Sequence, residues 1–222
     1  MATPGNLFGD VIAVALRDLV IVLTEATQKA STDPDRLYGI LRGLTQNEGA
    51  AFQIRGPLFE LATLAAVSLL EVGTKKLGER ARDGNGNEAD IDVLVIQENI
   101  RTLAIECKGR LGSGEVELAT VQDWLTRQVP RIDEHVLSKY GTATRQYQLW
   151  TPGSLSVDAV AYLEARKAEI KKYEVAWRTG PEVRAYFANT KNAALTKLLD
   201  EFYLQHPVAR LRRRTSSTSA SA

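Results

Sequence analysis

The sequence predicts an α/β protein in which a central mixed β-sheet is flanked by helices. Short apolar runs of strand length alternate with longer segments whose apolar residues recur at helical spacing, as is typical of this class. Of the 222 residues, 44% are hydrophobic and 25% are charged, as in an ordinary globular protein. We expect a helical extension over residues 1–50, an α/β domain over 51–205 and a basic, disordered tail over 206–222.

The N-terminal extension contains two predicted helices, over residues 5–30 and 35–44, which would pack on the domain or form a dimer surface. The apolar run of the first helix, over residues 11–23, is interrupted by Arg17 and Asp18 and is too short and too charged to span a bilayer, so we expect no membrane association. A linker over 47–55 and a long helix from Gly56 follow, with Pro57 in the first helical turn. Glu60 would lie in that turn, where the helix dipole favours a carboxylate.

Two predicted strands, over residues 91–96 and 102–108, carry ionisable side chains and are joined by a polar turn. Side chains alternate along a strand, so Glu106 and Lys108 share a face, which Asp92 reaches in a suitable register. Neighbouring carboxylates repel unless a cation lies between them, and Mg²⁺ is bound by one or two carboxylates with waters and substrate phosphates. The residue types therefore fit metal-assisted hydrolysis of a phosphodiester, with Lys108 stabilising charge or helping to deprotonate or orient the attacking water.

An Asp opening an apolar strand, thirteen intervening residues and then Glu-x-Lys resembles the signature of the PD-(D/E)XK nuclease superfamily. The resemblance to its Mrr-type members extends over residues 55–190 and implies a restriction-endonuclease-like fold. It also implies that Asp92 and Glu106 bind Mg²⁺ or Mn²⁺, that Glu60 assists as a metal ligand, and that Lys108 is catalytic. No Pro precedes Asp92, and Asp90 lies two residues upstream on the same face, so either Asp is a candidate for the primary ligand.

Further candidates follow the Glu-x-Lys segment. Gln122 lies on a predicted helix over 115–136, where many superfamily members carry a supporting Gln, although a solvent-facing side chain is the alternative. Arg127 and Arg131 are spaced i, i+4 on this helix and would contact phosphates or pair with nearby acidic residues. Arg110 belongs to a glycine-containing loop that would approach a phosphate backbone or simply connect two elements.

The single cysteine, Cys107, leaves no internal disulfide and favours a reducing, cytoplasmic location. Its side chain should point away from Glu106 and Lys108 into the core, and neither His135 nor His206 belongs to a metal-binding pattern.

The net charge is +1, and the four arginines of the tail leave about −3 for the remainder, so the domain is not a strongly basic nucleic-acid binder. The resemblance implies hydrolysis of DNA, with RNA not excluded, and by analogy an endonuclease of a restriction or phage-defence system. A homodimer or a partner subunit would supply targeting. The alternative is a nuclease-fold binding or assembly subunit that needs a partner or is catalytically silent.

Overall fold

The structure is a computed structural model that describes residues 48–110, 114–141 and 144–204, together with Asp35 and Tyr38, with side chains from residue 55 onward. The predicted helices over 5–30 and 35–44 and the predicted tail over 206–222 lie outside the described residues, apart from those two positions. None of the described helices is long and apolar enough to cross a bilayer.

A mixed five-stranded sheet forms the centre of the domain, with strand order β1-β2-β3-β5-β7. The first three strands are antiparallel to one another, whereas β3, β5 and β7 are parallel. The short strands β4 and β6 pair in parallel as a separate two-stranded sheet. The strands are β1 Thr74–Arg82, β2 Glu88–Gln97, β3 Arg101–Cys107, β4 Glu115–Val116, β5 Thr144–Trp150, β6 Ser154–Leu155 and β7 Glu174–Arg178.

Helices cover both faces of the main sheet, which confirms the predicted α/β class with a mixed sheet flanked by helices. One hydrophobic core lies between the sheet and α1, α5 and α6, and the other lies between the sheet and α2, α3 and α4. A π-helical turn joins α2 to α3 and another follows α6. The elements are α1 Glu48–Leu70, α2 Leu118–Asp123, the first π-turn Trp124–Gln128, α3 Val129–Tyr140, α4 Val157–Glu169, α5 Gly180–Asn189, α6 Ala193–Leu199 and the second π-turn Asp200–Leu204.

The start of α1 differs from the prediction. The helix begins at Glu48, so the predicted linker over 47–55 is wrong and Pro57 lies inside the helix. An interior proline costs about 3 kcal/mol. Burial of apolar residues such as Phe59 against the sheet offsets that cost, and the hydroxyl of Tyr203 donates to the Arg55 carbonyl. Glu60 is therefore in mid-helix, where the dipole argument for its carboxylate does not apply.

The predicted helix over 115–136 also starts later than expected. Residues 115 and 116 form β4, because residues 154 and 155 offer them a parallel partner from a distant part of the chain. The helix begins at Leu118 and continues through the π-turn to Tyr140. α4 is capped at its N-terminus by Ser156, whose side chain accepts a hydrogen bond from the Ala159 N–H at 3.3 Å.

Candidate active site

The candidate site lies where β2 and β3 separate. Their antiparallel ladder ends at the pair Val93–Ile105, and Asp92 and Glu106 each lie one residue beyond it. The Cys107 N–H donates to the Asp92 carboxylate at 2.7 Å, so a side chain takes the place of a backbone partner. On its other side, β3 remains paired with β5 as far as Cys107. The two strands thus form a fork with Asp92 between its arms.

β2 also changes its facing at this point. Ile91 packs in the core beneath α3, whereas Val93 packs in the core beneath α1, although regular alternation would put both on one face. The neighbouring strand is irregular at the same level, because Gly78 of β1 has φ +63° and makes no ladder pair between Leu77–Val93 and Glu79–Ile91. The Asp92 side chain therefore lies at the end of the sheet, within reach of residues from both faces.

Three carboxylates surround a single lysine at the fork. Glu106 is buried, with 7% of its surface exposed, and forms an ion pair with Lys108. Burial raises the pKa of Asp92 to about 8, and the charges of Glu106 and Glu60 add to this rise. Burial likewise raises the pKa of Glu60, with a further contribution from Glu106. The site therefore holds more carboxyl groups than Lys108 alone can stabilise in their charged form.

Lys108 keeps its proton at neutral pH. Burial lowers the pKa of its amine, but the adjacent Glu106 and then Asp92 raise it by more, so the net shift is upward. The Lys108 backbone N–H donates to the Trp150 carbonyl at 2.8 Å, which fixes the end of β3 against β5. The site thus contains a positioned ammonium group rather than a free amine.

Asp92, Glu106 and Lys108 open into a cleft of about 370 Å³ between β2 and the helix that contains the first π-turn. Asp90 also lines this cleft, but its side chain is 78% exposed and lies 3.6 Å from the Arg80 guanidinium. The geometry therefore places Asp92 inside the fork and Asp90 at the outer rim.

The opposite wall of the cleft contains Arg127, Gln128 and Arg131. The Asp123 carboxylate accepts from Arg127 at 2.9 Å and from Gln128 at 3.0 Å, and so holds both side chains. Arg131 donates to the Glu88 carbonyl at 3.2 Å. Both predicted arginines thus reach the cleft, and their own acidic or carbonyl partners orient them.

Two other predicted residues lie elsewhere. Gln122 is exposed and is not among the residues that line the cleft. The glutamine that lines the cleft is Gln128. The Arg110 N–H donates to the Lys108 carbonyl at 2.6 Å, while its side chain starts beside Gly153 rather than in the cleft. Gln128 was not among the residues predicted from the sequence. It lies three residues before Arg131, and residues at this spacing share one face of a helix, so the position of Arg131 could have indicated it.

Cys107 points away from the cleft, as predicted. Its side chain belongs to the core beneath α1, with 5% of its surface exposed, and burial raises the pKa of its thiol well above the ordinary value. A thiol with a raised pKa is a poor nucleophile. His135 is half-buried, and its Nε2 lies 3.2 Å from the Glu79 carboxylate.

Asp92 and Glu106 offer oxygen donors to a divalent cation. Within the described ranges, no three or more His, Cys, Asp or Glu side chains are already arranged as a metal site. Mg²⁺ in nucleic-acid enzymes commonly uses one or two carboxylates and completes its shell with water and substrate phosphates. The donor chemistry and the crowding of carboxyl groups around one ammonium group at the fork therefore fit such a cation.

Comparison with known proteins gives little about function. No family model matches the sequence, and no curated protein matches it. A crystal structure of a protein of unknown function is similar at 18% sequence identity with a TM-score of 0.36. The similar region covers 54% of this chain and 57% of that protein, so this chain spans little more than half of that protein's length. A similarity of this size supports no functional argument, and the function must be inferred from the fork and its cleft.

Proposed function

We propose that this chain is a metal-dependent nuclease of the PD-(D/E)XK type, with a restriction-endonuclease-like fold, which hydrolyses phosphodiester bonds of DNA. The observation that carries the proposal is the convergence of Asp92, Glu106 and Lys108 at the fork between β2 and β3. A purely structural strand end does not require two acidic side chains and an ammonium group where burial raises the pKa of Asp92 to about 8.

Asp92 and Glu106 are the residues that would hold Mg²⁺ or Mn²⁺, and Glu60 would supply a further oxygen donor from α1. When bound, such a cation neutralises charge on the phosphate and lowers the pKa of a water molecule. The Cys107 N–H fixes one oxygen of Asp92, which limits the orientations of this carboxylate. Glu106 is fixed by its burial and by its ion pair with Lys108.

The part played by Lys108 follows from its protonation state. An amine with a raised pKa remains an ammonium group at pH 7, so it does not accept a proton from the attacking water. An ammonium group in a partly buried site stabilises negative charge that develops on phosphate oxygens. We therefore assign Lys108 to electrostatic stabilisation, and Glu106 keeps its amine directed along the strand end.

Arg127 and Arg131 would contact phosphates on the far wall of the cleft, and Gln128 would add a neutral hydrogen-bonding group. None of these contacts distinguishes DNA from RNA. A single site cuts one strand, so a duplex endonuclease needs a second copy of the chain or a partner subunit. We place such an enzyme in a restriction or phage-defence system, where another component supplies the target.

One observation favours a second candidate, a nuclease-fold assembly subunit whose site is dormant. Glu106 and Lys108 form an ion pair with each other, and no group of three metal-binding side chains is preformed among the described residues. In this candidate a partner or the nucleic acid must separate the ion pair before a cation can bind.

Cleavage assays test the proposal. Supercoiled plasmid, linear duplex, single-stranded DNA and RNA are incubated with wild type in Mg²⁺, Mn²⁺ or EDTA. We expect metal-dependent loss of the supercoiled band, which Asp92→Asn and Lys108→Ala abolish and which the rim variant Asp90→Asn retains. Equal cutting by wild type and Lys108→Ala would contradict the assignment. Absence of cutting by wild type on every substrate would favour the dormant subunit.

A further inference from the structure

The proposed nuclease cleft attracts a polyanion such as a nucleic acid only weakly. Among the described residues that line it, four are acidic and three are basic, so its formal charge is −1 when all are ionised. Nucleic-acid affinity comes largely from lysines and arginines that replace the counterions of the phosphates. A bound divalent cation would raise this charge only at the cut itself. Stable binding of a strand therefore requires a basic surface beyond the cleft.

A second cavity, here named the β1-edge cavity, has the opposite balance. It measures about 610 Å³ and lies against the outer edge of β1. Its described lining contains three lysines but one carboxylate, with apolar walls from α1 and β1, and consists of Leu64, Ser68, Lys75, Lys76, Leu77, Glu79 and Lys139. Its formal charge is thus +2, the reverse of the cleft.

The carboxylate of Glu79 does not oppose an anion in this cavity. It is 9% exposed and accepts from Lys76 at 2.7 Å, Lys139 at 2.8 Å and Tyr140 at 2.6 Å. His135 also lies 3.2 Å from it. Burial raises the pKa of Glu79, but these bonds lower it by more, to about 2. The negative charge of Glu79 is balanced by the two lysines that donate to it. Lys75 lies outside that network, and no ion pair joins it to another residue in the part of the chain that the structure describes.

The helix α1 relates the cavity to Glu60, the proposed ligand on that helix. Leu64 and Ser68 follow Glu60 by four and eight residues, so the three lie on one ridge of the helix. At 1.5 Å per residue, the cavity begins about 6 Å from Glu60 and extends to about 12 Å along the axis. One strand of a duplex advances about 3.4 Å along the duplex axis per phosphate, so a duplex lying along α1 would place at most about four phosphates within this distance.

We propose that the β1-edge cavity binds the sugar-phosphate backbone of the cut strand, up to about four phosphates from the cleaved bond. Lys75 and Lys139 contact the phosphates, while Leu64 and Leu77 form the wall beside the sugars. The inference rests on the proposed function in placing the cleaved bond at Asp92. Such contacts carry no base information, so the cavity supplies affinity rather than sequence preference.

Binding without cleavage is the first test. Fluorescence anisotropy in EDTA measures the affinity of a labelled oligonucleotide for wild type, Lys75→Ala with Lys139→Ala, and the control Lys171→Ala, an exposed lysine between α4 and β7. We expect the double variant to lower affinity on the order of tenfold and to reduce the slope of log affinity against log salt by roughly 1.5. The control should behave as wild type. Because Lys139 helps to hold Glu79, Lys75→Glu alone provides a variant that leaves the Glu79 network intact.

Cleavage supplies the second test. In the double variant KM should rise while kcat is unchanged, because the cavity lies away from the reacting atoms. Two oligonucleotide series, shortened stepwise on the 5′ or the 3′ side of the cut, should show that wild type loses affinity when fewer than about four nucleotides remain on one side only. The double variant should be indifferent to that shortening.

The outcomes separate this inference from the proposed function. Binding that depends on the cavity lysines, with no cutting in any metal, would retain the cavity and refute the nuclease. Metal-dependent cutting with identical KM and salt slope in wild type, the double variant and Lys75→Glu would retain the nuclease and overturn the cavity. Wild type that neither binds nor cuts would overturn both.

Discussion

Replacement of Asp92 by Asn should stabilise the protein in a pH-dependent manner. The burial of Asp92 and its acidic neighbours raise the pKa of the carboxyl from 3.8 to about 8, whereas the unfolded chain has the ordinary value. The folded state therefore binds the proton more tightly, and the free energy of unfolding of the wild type falls as pH rises between these two values. Asn removes the titration, yet its side-chain oxygen can still accept from the Cys107 N–H.

The size of the effect follows from the exchange of one proton. The stability advantage of Asp92→Asn should grow by at most about 1.4 kcal/mol per pH unit between pH 4 and 8, and level off above pH 8. From pH 5 to pH 7 this amounts to no more than about 3 kcal/mol. Urea unfolding in EDTA at one-unit intervals from pH 4 to pH 9 measures the difference between variant and wild type.

The matched control is Asp90→Asn, two residues away and 78% exposed, whose stability should track that of wild type across the range. A difference between Asp92→Asn and wild type that does not change with pH would refute the reasoning. So would a wild type that is the more stable protein at pH 8, because burial and the charge repulsion at the fork would then have no effect on Asp92.

Three further predictions concern the site and the fold. Mn²⁺ or Mg²⁺ should raise the Tm of wild type more at pH 8.5 than at pH 6.5, because the cation competes with the proton on Asp92. Glu106→Gln should remove this rise in Tm, which differential scanning fluorimetry measures. Lys108→Met should lower kcat roughly 10²- to 10³-fold, and Lys108→Arg should recover part of this loss, because we propose that Lys108 acts through its positive charge and not as a base. An equal loss of kcat in both variants would argue for proton transfer. Asp133→Ala should cost about 3 to 5 kcal/mol in urea unfolding, because it removes the carboxylate to which Arg145 donates at 2.6 Å in a largely buried pair.

Strand residues were predicted well because strand geometry is local. Alternation put Glu106 and Lys108 on one face, and two short apolar runs with a polar turn were enough to predict the antiparallel β2–β3 hairpin. The contact of Asp92 with the Cys107 N–H could not be predicted, because it depends on where the ladder stops and on the change of facing in β2. Gly78, which lies on a different strand, also contributes to that irregularity.

Helix boundaries were predicted less well because they depend on distant partners. Pro57 is a strong local signal for a helix start, yet packing against the sheet and Tyr203 extends α1 through it. Residues 115 and 116 form a strand only because β6 pairs with them. Gln122 does not reach the cleft for a related reason. Which residues of this helix face the cleft depends on its start at Leu118 and on the π-turn that ends at Gln128.

The fork ties an acidic side chain to the backbone of the sheet, and this has an evolutionary consequence. Position 92 must provide an acceptor for the Cys107 N–H whether or not the protein still catalyses a reaction. A descendant that has lost its chemistry but kept its fold should therefore carry Asn or Ser there, whereas Ala or Leu would leave a partly buried donor unsatisfied. Among homologous sequences, the residue at this position should distinguish lineages that lost the proposed hydrolysis and kept the scaffold from those in which the strand end itself was rebuilt.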